Sequence, residues 1–231
     1  MGSLIDRLTL NAPLRLLRYK DEIYPSEFGK LYKQLGSFSM MTHGRLRGLY
    51  RAVRETSLKN IPGDIVECGC AKGGSAALMG LTAQQSGTSR KVWVFDTFEG
   101  LPPPTDGDGP DYEAALAAVG QCRGSLEEVD GLFRQVGIRD YQLVKGLVQD
   151  TLREPPVRQI AVLHLDVDWY EPIKTCLTKL WDLMAPGGIV QIDDYGFWAG
   201  ARRATDEFIN ERGLRAHFSK VDAIACQLKK V

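Results

Sequence analysis

The segment from His164 to Gly196 constrains the fold more than any other part of the sequence. An apolar strand ends there in Asp166-Val167-Asp168, a helix follows, and a second apolar strand ends in Asp193-Asp194. Parallel strands joined by a helix lie close together and present their carboxyl ends at one edge of a sheet. Four carboxylates are therefore expected in one place, where a cation or protons must compensate their repulsion. Since hard divalent ions prefer oxygen ligands, a metal site is the first hypothesis.

The same alternation of strand and helix extends over most of the chain and predicts an α/β fold. We predict strands over residues 64–67, 91–96, 142–144, 160–163 and 189–192, helices over residues 74–85, 126–136, 171–184 and 202–211, and two short closing strands near 214–218 and 223–228. This order favours a mostly parallel sheet with helices on both faces and an antiparallel C-terminal edge hairpin. The turn Pro186-Gly187-Gly188 is expected to separate the helix from the strand after it.

The first 59 residues differ from the rest in composition and are predicted to form an N-terminal helical arm or lid, followed by one domain over residues 60–231. Arg, Lys, Leu and Tyr are enriched in this part, and helical periodicity is clear around residues 45–58. We expect the arm to lie over the binding edge of the sheet. Its exposed Leu and Tyr side chains predict self-association as a homodimer or higher homo-oligomer.

Charge and composition restrict the partners of the chain. The formal net charge is zero and no long run of one sign occurs, which argues against nucleic acid and against an anionic membrane surface. A small-molecule substrate is expected instead. The early Asp6-Arg7 pair argues against a secretory signal, and no apolar stretch reaches the length of a membrane span. The five scattered cysteines indicate small buried hydrophobes, and a cytoplasmic location is expected.

A glycine-rich turn follows the first strand, at residues 66–75. It lacks the spacing of a dinucleotide fingerprint and the Gly-Lys-Ser/Thr end of a phosphate-binding loop. An acid-x-Gly-x-x-x-Gly turn is typical of S-adenosylmethionine enzymes, and Asp96 at the end of the next strand is placed to accept both ribose hydroxyls. Taken singly, the turn also fits many other α/β proteins, and Asp96 also fits a helix cap.

Several motifs in order resemble the macrocin O-methyltransferase (TylF-like) family. They are the glycine turn at residues 67–75, Phe95-Asp96-Thr97-Phe98-Glu99-Gly100-Leu101-Pro102, the Asp166-Val167-Asp168-Trp169-Tyr170-Glu171 segment, Pro186-Gly187-Gly188 through Ile192-Asp193-Asp194-Tyr195-Gly196, and residues 200–208. The resemblance covers roughly residues 40–208. It implies a class I methyltransferase fold, with its Rossmann-like sheet, and methylation of sugar hydroxyls on natural products. It also implies S-adenosylmethionine and a divalent metal, usually Mg²⁺.

The resemblance also implies roles for single residues. Asp166, Asp193 and Asp194 would hold the metal, and Asp168 would be the general base. Glu67, Gly69, Gly73, Ser75, Asp96, Thr97 and Asp150 would contact the methyl donor. The sequence departs from the family at Lys72, where Arg is usual, at Thr97, where Ser is usual, and at Pro172-Ile173, where Ser-Thr is usual. These departures concern the identity of the acceptor more than the chemistry.

The chemistry itself favours a metal. An Asp carboxyl near pKa 3.9 and a hydroxyl near that of water, 15.7, differ by about 12 units, or on the order of 16 kcal/mol. A cation that binds the hydroxyl lowers its pKa and makes proton transfer to Asp168 feasible. If both residues lie on a strand, Asp166 and Asp168 point to the same face, with Cα atoms about 6.5 Å apart.

Alternatives to this interpretation remain open on the sequence alone. Asp166 and Asp168 also fit a pair of helix caps, and Asp193-Asp194 an ordinary polar turn. His164 is expected in the core, and His43 is a candidate to reach the acceptor. The aromatics Trp169, Tyr170, Tyr195, Phe197 and Trp198 fit either a sugar pocket or the core. The rival functions are methylation of a phenol or catechol and a non-catalytic donor-binding module.

Overall fold

A computed structural model of the protein describes residues 26–214 and 217–231. The prediction about a secretory signal at Asp6-Arg7 lies outside the described residues. Among the residues that are described, no helix combines the length and the apolar character needed to cross a bilayer. All five cysteines are free thiols, and four of them are buried, in keeping with their prediction as small buried hydrophobes.

Seven strands form one mixed sheet in the order β3-β2-β1-β4-β5-β7-β6. Their bounds are β1 Asp64–Cys68, β2 Val92–Asp96, β3 Tyr141–Lys145, β4 Ile160–Leu165, β5 Met184–Ile192, β6 His217–Lys220 and β7 Cys226–Lys229. The pairs among β1 to β5 are parallel, whereas β7 pairs antiparallel with both β5 and β6. The predicted parallel sheet with an antiparallel C-terminal hairpin is confirmed. Strand order reverses between β1 and β4, where α/β sheets bind their ligands.

Helices cover both faces of this sheet, as predicted. They are α1 Glu27–Leu35, α2 His43–Leu58, α3 Gly74–Gln85, α4 Tyr112–Ala117, α5 Leu126–Val136, α6 Val148–Thr151, α7 Tyr170–Leu180 and α8 Ala199–Glu211, with short 3₁₀ turns at Gly36–Phe38, Asp106–Asp111 and Trp181–Leu183. One core lies between the sheet and α1, α2, α3 and α5, and includes Leu46, Leu78 and Phe133. The other lies against α7 and α8, and includes Leu177 and Phe208.

The predicted and observed helix boundaries agree best where the sequence contains a local capping signal. Ser125 caps α5 in a capping box with Glu128, as its spacing predicts. The predicted helix over residues 171–184 is too long. Helix α7 ends at Leu180, and Met184 is already the first residue of β5, where it pairs with Ile160 of β4. The predicted turn at residues 186–188 is part of that strand, since Gly187 and Gly188 exchange backbone hydrogen bonds with Lys230.

Helix α8 begins three residues earlier than predicted, because its first turn receives a cap from a distant loop. The Ala199 amide donates to the Asp111 carboxylate at 2.7 Å, 88 residues away in sequence. Such a long-range cap leaves no local pattern, so periodicity placed the start at Arg202.

Of the predicted arm, the described part is built into the first core. Phe28, Leu31, Leu46, Leu49 and Val53 of α1 and α2 are buried there. Close approach of α2 to the sheet is possible because residue 48 is glycine, where a Cβ would meet the Gln191 side chain at 2.7 Å. This packing places the N-terminal end of α2 beside the carboxyl end of β5. The domain division at residue 60 stays a prediction.

Candidate active site

A cavity of about 220 Å³ opens at the carboxyl ends of β1, β2, β4 and β5. It is lined by Met40, Met41, Arg45, Gly69, Ala71, Phe95, Asp96, Thr97, Gly100, Leu101, Pro102, Cys122, Gly146, Leu147, Val148, Gln149, Asp166, Val167, Asp168, Pro172, Asp193 and Asp194. The glycine turn and Asp96 form one side of this cavity, and the aspartates of the two later strands form the other. The cavity therefore brings the two predicted halves of the site together.

The glycine turn packs tightly against the segment after β4. Gly69 has a φ of 81°, and a Cβ at this position would lie 1.8 Å from the Asp166 carbonyl oxygen. Only glycine fits here, because the backbone conformation is left-handed and the approach leaves no room for a side chain. This contact fixes the distance between the turn and the carboxylate cluster.

The Asp96 side chain organises the turn from the neighbouring strand. Its Oδ2 accepts hydrogen bonds from the amides of Cys70 at 2.6 Å and Ala71 at 3.3 Å. Its Oδ1 accepts from the Phe98 amide at 2.7 Å. A half-buried carboxylate so placed holds the loop in shape and still faces the cavity.

The predicted donor-binding residues divide into two groups. Gly69, Asp96 and Thr97 line the cavity, whereas Glu67, Gly73 and Ser75 are not among its lining residues. Asp150 lies on the surface, where its carboxylate, 59% exposed, pairs with Arg153. The four residues before Asp150, Gly146 to Gln149, do line the cavity.

Asp166, Asp168 and Asp194 converge, with one carboxylate oxygen from each lying within 4.8 Å of the others. The reason differs from the predicted one. Strand β4 ends at Leu165, so Asp166 and Asp168 do not lie on a strand. The chain turns instead, with the Trp169 amide bonded to the Val167 carbonyl at 2.6 Å and Asp168 at a φ of 58°. A left-handed aspartate is a strained conformation of the kind that clusters at functional sites.

Asp193 lies beside this trio and also lines the cavity, and its two carboxylate oxygens have different surroundings. Its Oδ2 accepts from the Arg45 guanidinium of α2, which also lies 3.7 Å from Asp222 of the turn between β6 and β7. Its Oδ1 is 3.9 Å from Nε2 of His164 and has no hydrogen-bond partner among the described residues. Arg45 thus binds Oδ2 of Asp193, and Oδ1 is the oxygen that forms no hydrogen bond among the described residues.

Burial and mutual repulsion set the protonation of these groups. Both raise the pKa of Asp166 and of Asp194 well above the ordinary value. Burial also raises the pKa of Asp168 to about 6, although a hydrogen bond from Trp198 counteracts the shift. Burial lowers the pKa of His164, but the carboxylates of Asp193 and Glu67 outweigh it and raise the value to about 10.

This arrangement fits a hard divalent cation. Ionised carboxylates at such distances are costly without compensation, and Asp193 Oδ1 and Asp194 Oδ2 are buried oxygens that form no hydrogen bond among the described residues. Oxygen donors of this kind are the ligands that Mg²⁺ prefers. The donor set therefore suits the predicted metal.

None of the aromatic side chains predicted for a sugar pocket lines the cavity. Two of them, Trp169 and Trp198, pack beside the carboxylate cluster instead. Trp198 donates from Nε1 to Asp168 Oδ1 at 2.9 Å and stacks edge-on against Trp169, with ring centroids 5.1 Å apart. Trp169 in turn donates to the Pro102 carbonyl at 2.8 Å. His43 packs against Phe28 and Tyr32, away from the cavity lining.

The sequence did not reveal every lining residue. Arg45 and Cys122 line the cavity although neither belongs to a predicted site motif. For Arg45 the available signal was its place near the start of a predicted helix, which does not tell which sheet edge that helix meets. Thr42, whose side chain accepts from the Arg45 amide, caps that helix.

Comparisons with known proteins agree with this geometry. Residues 28–230 match the family described as Macrocin-O-methyltransferase (TylF). The chain belongs to this family. It is 33% identical, over 92% of its length and 83% of the relative's, to the 8-demethyl-8-(2,3-dimethoxy-alpha-L-rhamnosyl)-tetracenomycin-C 4'-O-methyltransferase of Streptomyces olivaceus. It is 35% identical to the demethyldecarbamoylnovobiocin O-methyltransferase of Streptomyces niveus, over 78% of its length and 68% of the relative's.

The solved structures agree. The O-methyltransferase NovP superposes with a TM-score of 0.77 at 29% identity, over 84% of this chain and 82% of NovP. The TylF member described here therefore has the class I methyltransferase fold and is an S-adenosylmethionine-dependent O-methyltransferase. The predicted family, fold and enzyme class are confirmed.

Proposed function

We propose that this TylF-family enzyme moves a methyl group from S-adenosylmethionine to a hydroxyl of a sugar on a natural product, with a divalent cation at the carboxylate cluster and Asp168 as base. The observation that carries the proposal is the convergence of Asp166, Asp168 and Asp194 in the cavity that the glycine turn also lines. Donor and acceptor would meet in this cavity. The names of the relatives, which include a rhamnosyl-tetracenomycin and a mycinamicin methyltransferase, support a glycoside as acceptor.

Asp166, Asp194 and the free Oδ1 of Asp193 would hold the cation, for which Mg²⁺ is the first candidate. When bound, such an ion lowers the pKa of a coordinated hydroxyl and orients it. Gly69, Asp96 and Thr97 would contact the donor, and the backbone from Gly146 to Gln149 would lie near its adenine.

Asp168 would accept the proton that the acceptor hydroxyl loses. The oxygen forms a bond to the methyl carbon, the carbon–sulfur bond breaks with its electron pair left on sulfur, and S-adenosylhomocysteine results. The hydrogen bond from Trp198 occupies Asp168 Oδ1 and leaves Oδ2 for this proton. With a pKa of about 6, Asp168 is ionised in most of the protein molecules at neutral pH.

The experiment is to compare Asp168→Asn with the wild type in methyl transfer, donor binding and Mg²⁺ binding. We expect turnover to fall at least 100-fold because the amide cannot accept the proton, whereas S-adenosylhomocysteine affinity stays within about twofold. Near-normal turnover would exclude Asp168 as base.

The metal is tested separately by the double variant Asp193→Ala, Asp194→Ala. Calorimetric titration with Mg²⁺ should show no binding to this variant, and a chelator should abolish turnover of the wild type. A titration unchanged from that of the wild type would remove the cation from the proposal, whatever the fate of Asp168→Asn.

Self-association also stays a proposal. Leu58 at the end of α2 is 73% exposed and offers one apolar contact on the described part of the arm. Analytical ultracentrifugation that finds a monomer at micromolar concentration would contradict it.

A further inference from the structure

A row of buried polar side chains crosses the sheet behind the carboxylate cluster. Glu67 on β1 lies opposite His164 on β4, His164 opposite Gln191 on β5, and Gln191 opposite Gln227 on β7. The first three side chains are fully buried, on the face of the sheet that α2 and α3 cover. Buried polar groups are costly unless they are paired, so a row of them in a core of Val and Ile requires an explanation.

Glu67 and His164 form a directed pair that ends at the cluster. Glu67 Oε1 lies 2.6 Å from His164 Nδ1, and His164 Nε2 lies 3.9 Å from Asp193 Oδ1. Glu67 Oε2, His164 Nε2 and Asp193 Oδ1 have no hydrogen-bond partner among the described residues. Nε2 of the ring thus faces Oδ1 of Asp193, the oxygen that Arg45 does not bind.

We propose that Glu67 is a positioning residue that acts through His164 on Asp193, and does not contact the methyl donor. The Glu67 carboxylate accepts a hydrogen bond from Nδ1, which fixes the orientation of the ring and holds Nε2 toward Asp193. Glu67 is completely buried and is not among the residues that line the cavity. This inference rests on the proposed function, since it assigns Asp193 to the cation.

The opposite side of Asp193 is held independently. Arg45 binds Oδ2, and Arg45 is itself anchored by Asp222, so this contact belongs to α2 and the C-terminal hairpin. With Oδ2 fixed from one side, the position of Oδ1 depends on the histidine on the other side. Groups that orient metal ligands in this way usually contribute a factor of ten to one hundred in metal affinity.

The test uses the full chain and isothermal titration with Mg²⁺ alone and with S-adenosylhomocysteine alone. In Glu67→Gln we expect Mg²⁺ affinity to fall at least tenfold, whereas S-adenosylhomocysteine affinity stays within twofold. The matched control is Gln227→Met, which interrupts the same polar row two strands away from His164. It should bind both ligands as the wild type does. Thermal unfolding of all three proteins checks that each is folded.

The outcomes separate this inference from the proposed function. A wild type that binds no Mg²⁺ overturns the metal itself. If the wild type binds Mg²⁺ and the Glu67→Gln variant binds it with the same affinity, the proposed role of Glu67 is overturned. Loss of S-adenosylhomocysteine affinity with Mg²⁺ affinity intact assigns Glu67 to the donor and also overturns it.

If Glu67→Gln does not fold, the wild type provides the answer. The chain has three histidines, so ¹⁵N-labelled imidazoles give few signals. Saturation with Mg²⁺ should shift the Nε2 resonance of His164 and leave the resonances of His43 unchanged, since His43 packs against Phe28 and Tyr32. An unshifted His164 signal at full Mg²⁺ occupancy overturns the proposal.

Discussion

At the scale of single residues, the site depends on backbone conformations that few side chains tolerate. Gly69→Ala is the sharpest case, because the added Cβ would lie 1.8 Å from the Asp166 carbonyl and the φ of 81° is unfavourable for alanine. We expect the donor turn to move away from the cluster, with turnover reduced at least 100-fold. The left-handed backbone conformation alone should lower the free energy of unfolding of Gly69→Ala by about 1 to 2 kcal/mol.

Gly87→Ala is the matched control for that variant. Gly87 has a φ of 72° but a Cβ there would meet nothing within 4 Å. It should lose about 1 kcal/mol of stability in chemical denaturation and keep full activity. Equal activity losses in the two variants would contradict the role assigned to the contact between Gly69 and Asp166.

Trp198 is predicted to tune the base. Its hydrogen bond to Asp168 Oδ1 lowers the pKa of that carboxyl, against the effect of burial, so Trp198→Phe should raise the pKa above about 6. Because the base must be ionised, the acid limb of the kcat/KM profile should move to higher pH, by about one unit. Trp169→Phe removes an indole donor that bonds to Pro102 and should leave the limb in place.

At the site, the sequence predicted which residues gather there better than it predicted the contacts between them. The aspartates at residues 166, 168 and 194 were found because strand ends are visible in the sequence and parallel strands end together. The partner of Asp193 was not, because Arg45 reaches it from 148 residues away by the packing of α2. Nothing local in the sequence fixes which face of the sheet a helix will cover.

At the scale of elements, the loop over residues 101–111 connects the donor half to the catalytic half. The buried Asp108 accepts from the Tyr170 amide, at the start of α7, and from the Thr105 amide, both at 2.8 Å. Asp111 caps α8. No local pattern in the sequence predicts the order of this loop, because it comes from contacts with two helices distant in sequence.

Asp108→Ala tests whether this loop shapes the cavity. Loss of the carboxylate leaves two amides without partners, which costs about 1 to 3 kcal/mol each if they stay buried. We expect a lower melting temperature and a raised KM for the acceptor, since Leu101 and Pro102 of the loop line the cavity. Asp106→Ala removes the same charge from an exposed position of the loop and should change neither quantity. An unchanged acceptor KM in Asp108→Ala would show that the loop is only structural.

At the scale of the whole molecule, the alternation of strands and helices predicted the mostly parallel sheet with helices on both faces, and the closing pair of short strands predicted the C-terminal hairpin. The order of the strands was not predicted. The continuous core between α2, α3 and the sheet was not predicted either, because the sequence presents the first 59 residues as a separate segment. That core is why charges from the N-terminal and C-terminal ends meet at Asp193, through Arg45 and Asp222. Without a metal ion, the site carries more acidic side chains than its positively charged side chains neutralise. This excess of acidic groups makes the stability of the fold depend on pH.

The consequence is an inverted dependence of stability on pH. Asp166, Asp168 and Asp194 have pKa values above those of the unfolded chain, about 6 for Asp168, so the folded protein binds more protons than the unfolded one above pH 4. Its free energy of unfolding therefore falls as the pH rises through that range. His164, with a pKa of about 10 against 6.5 when unfolded, adds stability below pH 6.5 that is lost toward pH 10.

Thermal unfolding in a chelator should therefore give a higher melting temperature at pH 5.5 than at pH 8.5. Added Mg²⁺ compensates the ionised carboxylates, so the increment that it produces should be small at pH 5.5 and grow toward pH 8.5. The variant Asp166→Asn, Asp194→Asn serves as control, because its melting temperature in chelator should fall less steeply with pH than that of the wild type, with the contribution of His164 remaining, and should respond little to Mg²⁺ at any pH. A wild-type melting temperature that rises from pH 5.5 to 8.5 in chelator would mean that the cluster is already neutralised within the chain, and that a cation is not what its carboxylates require.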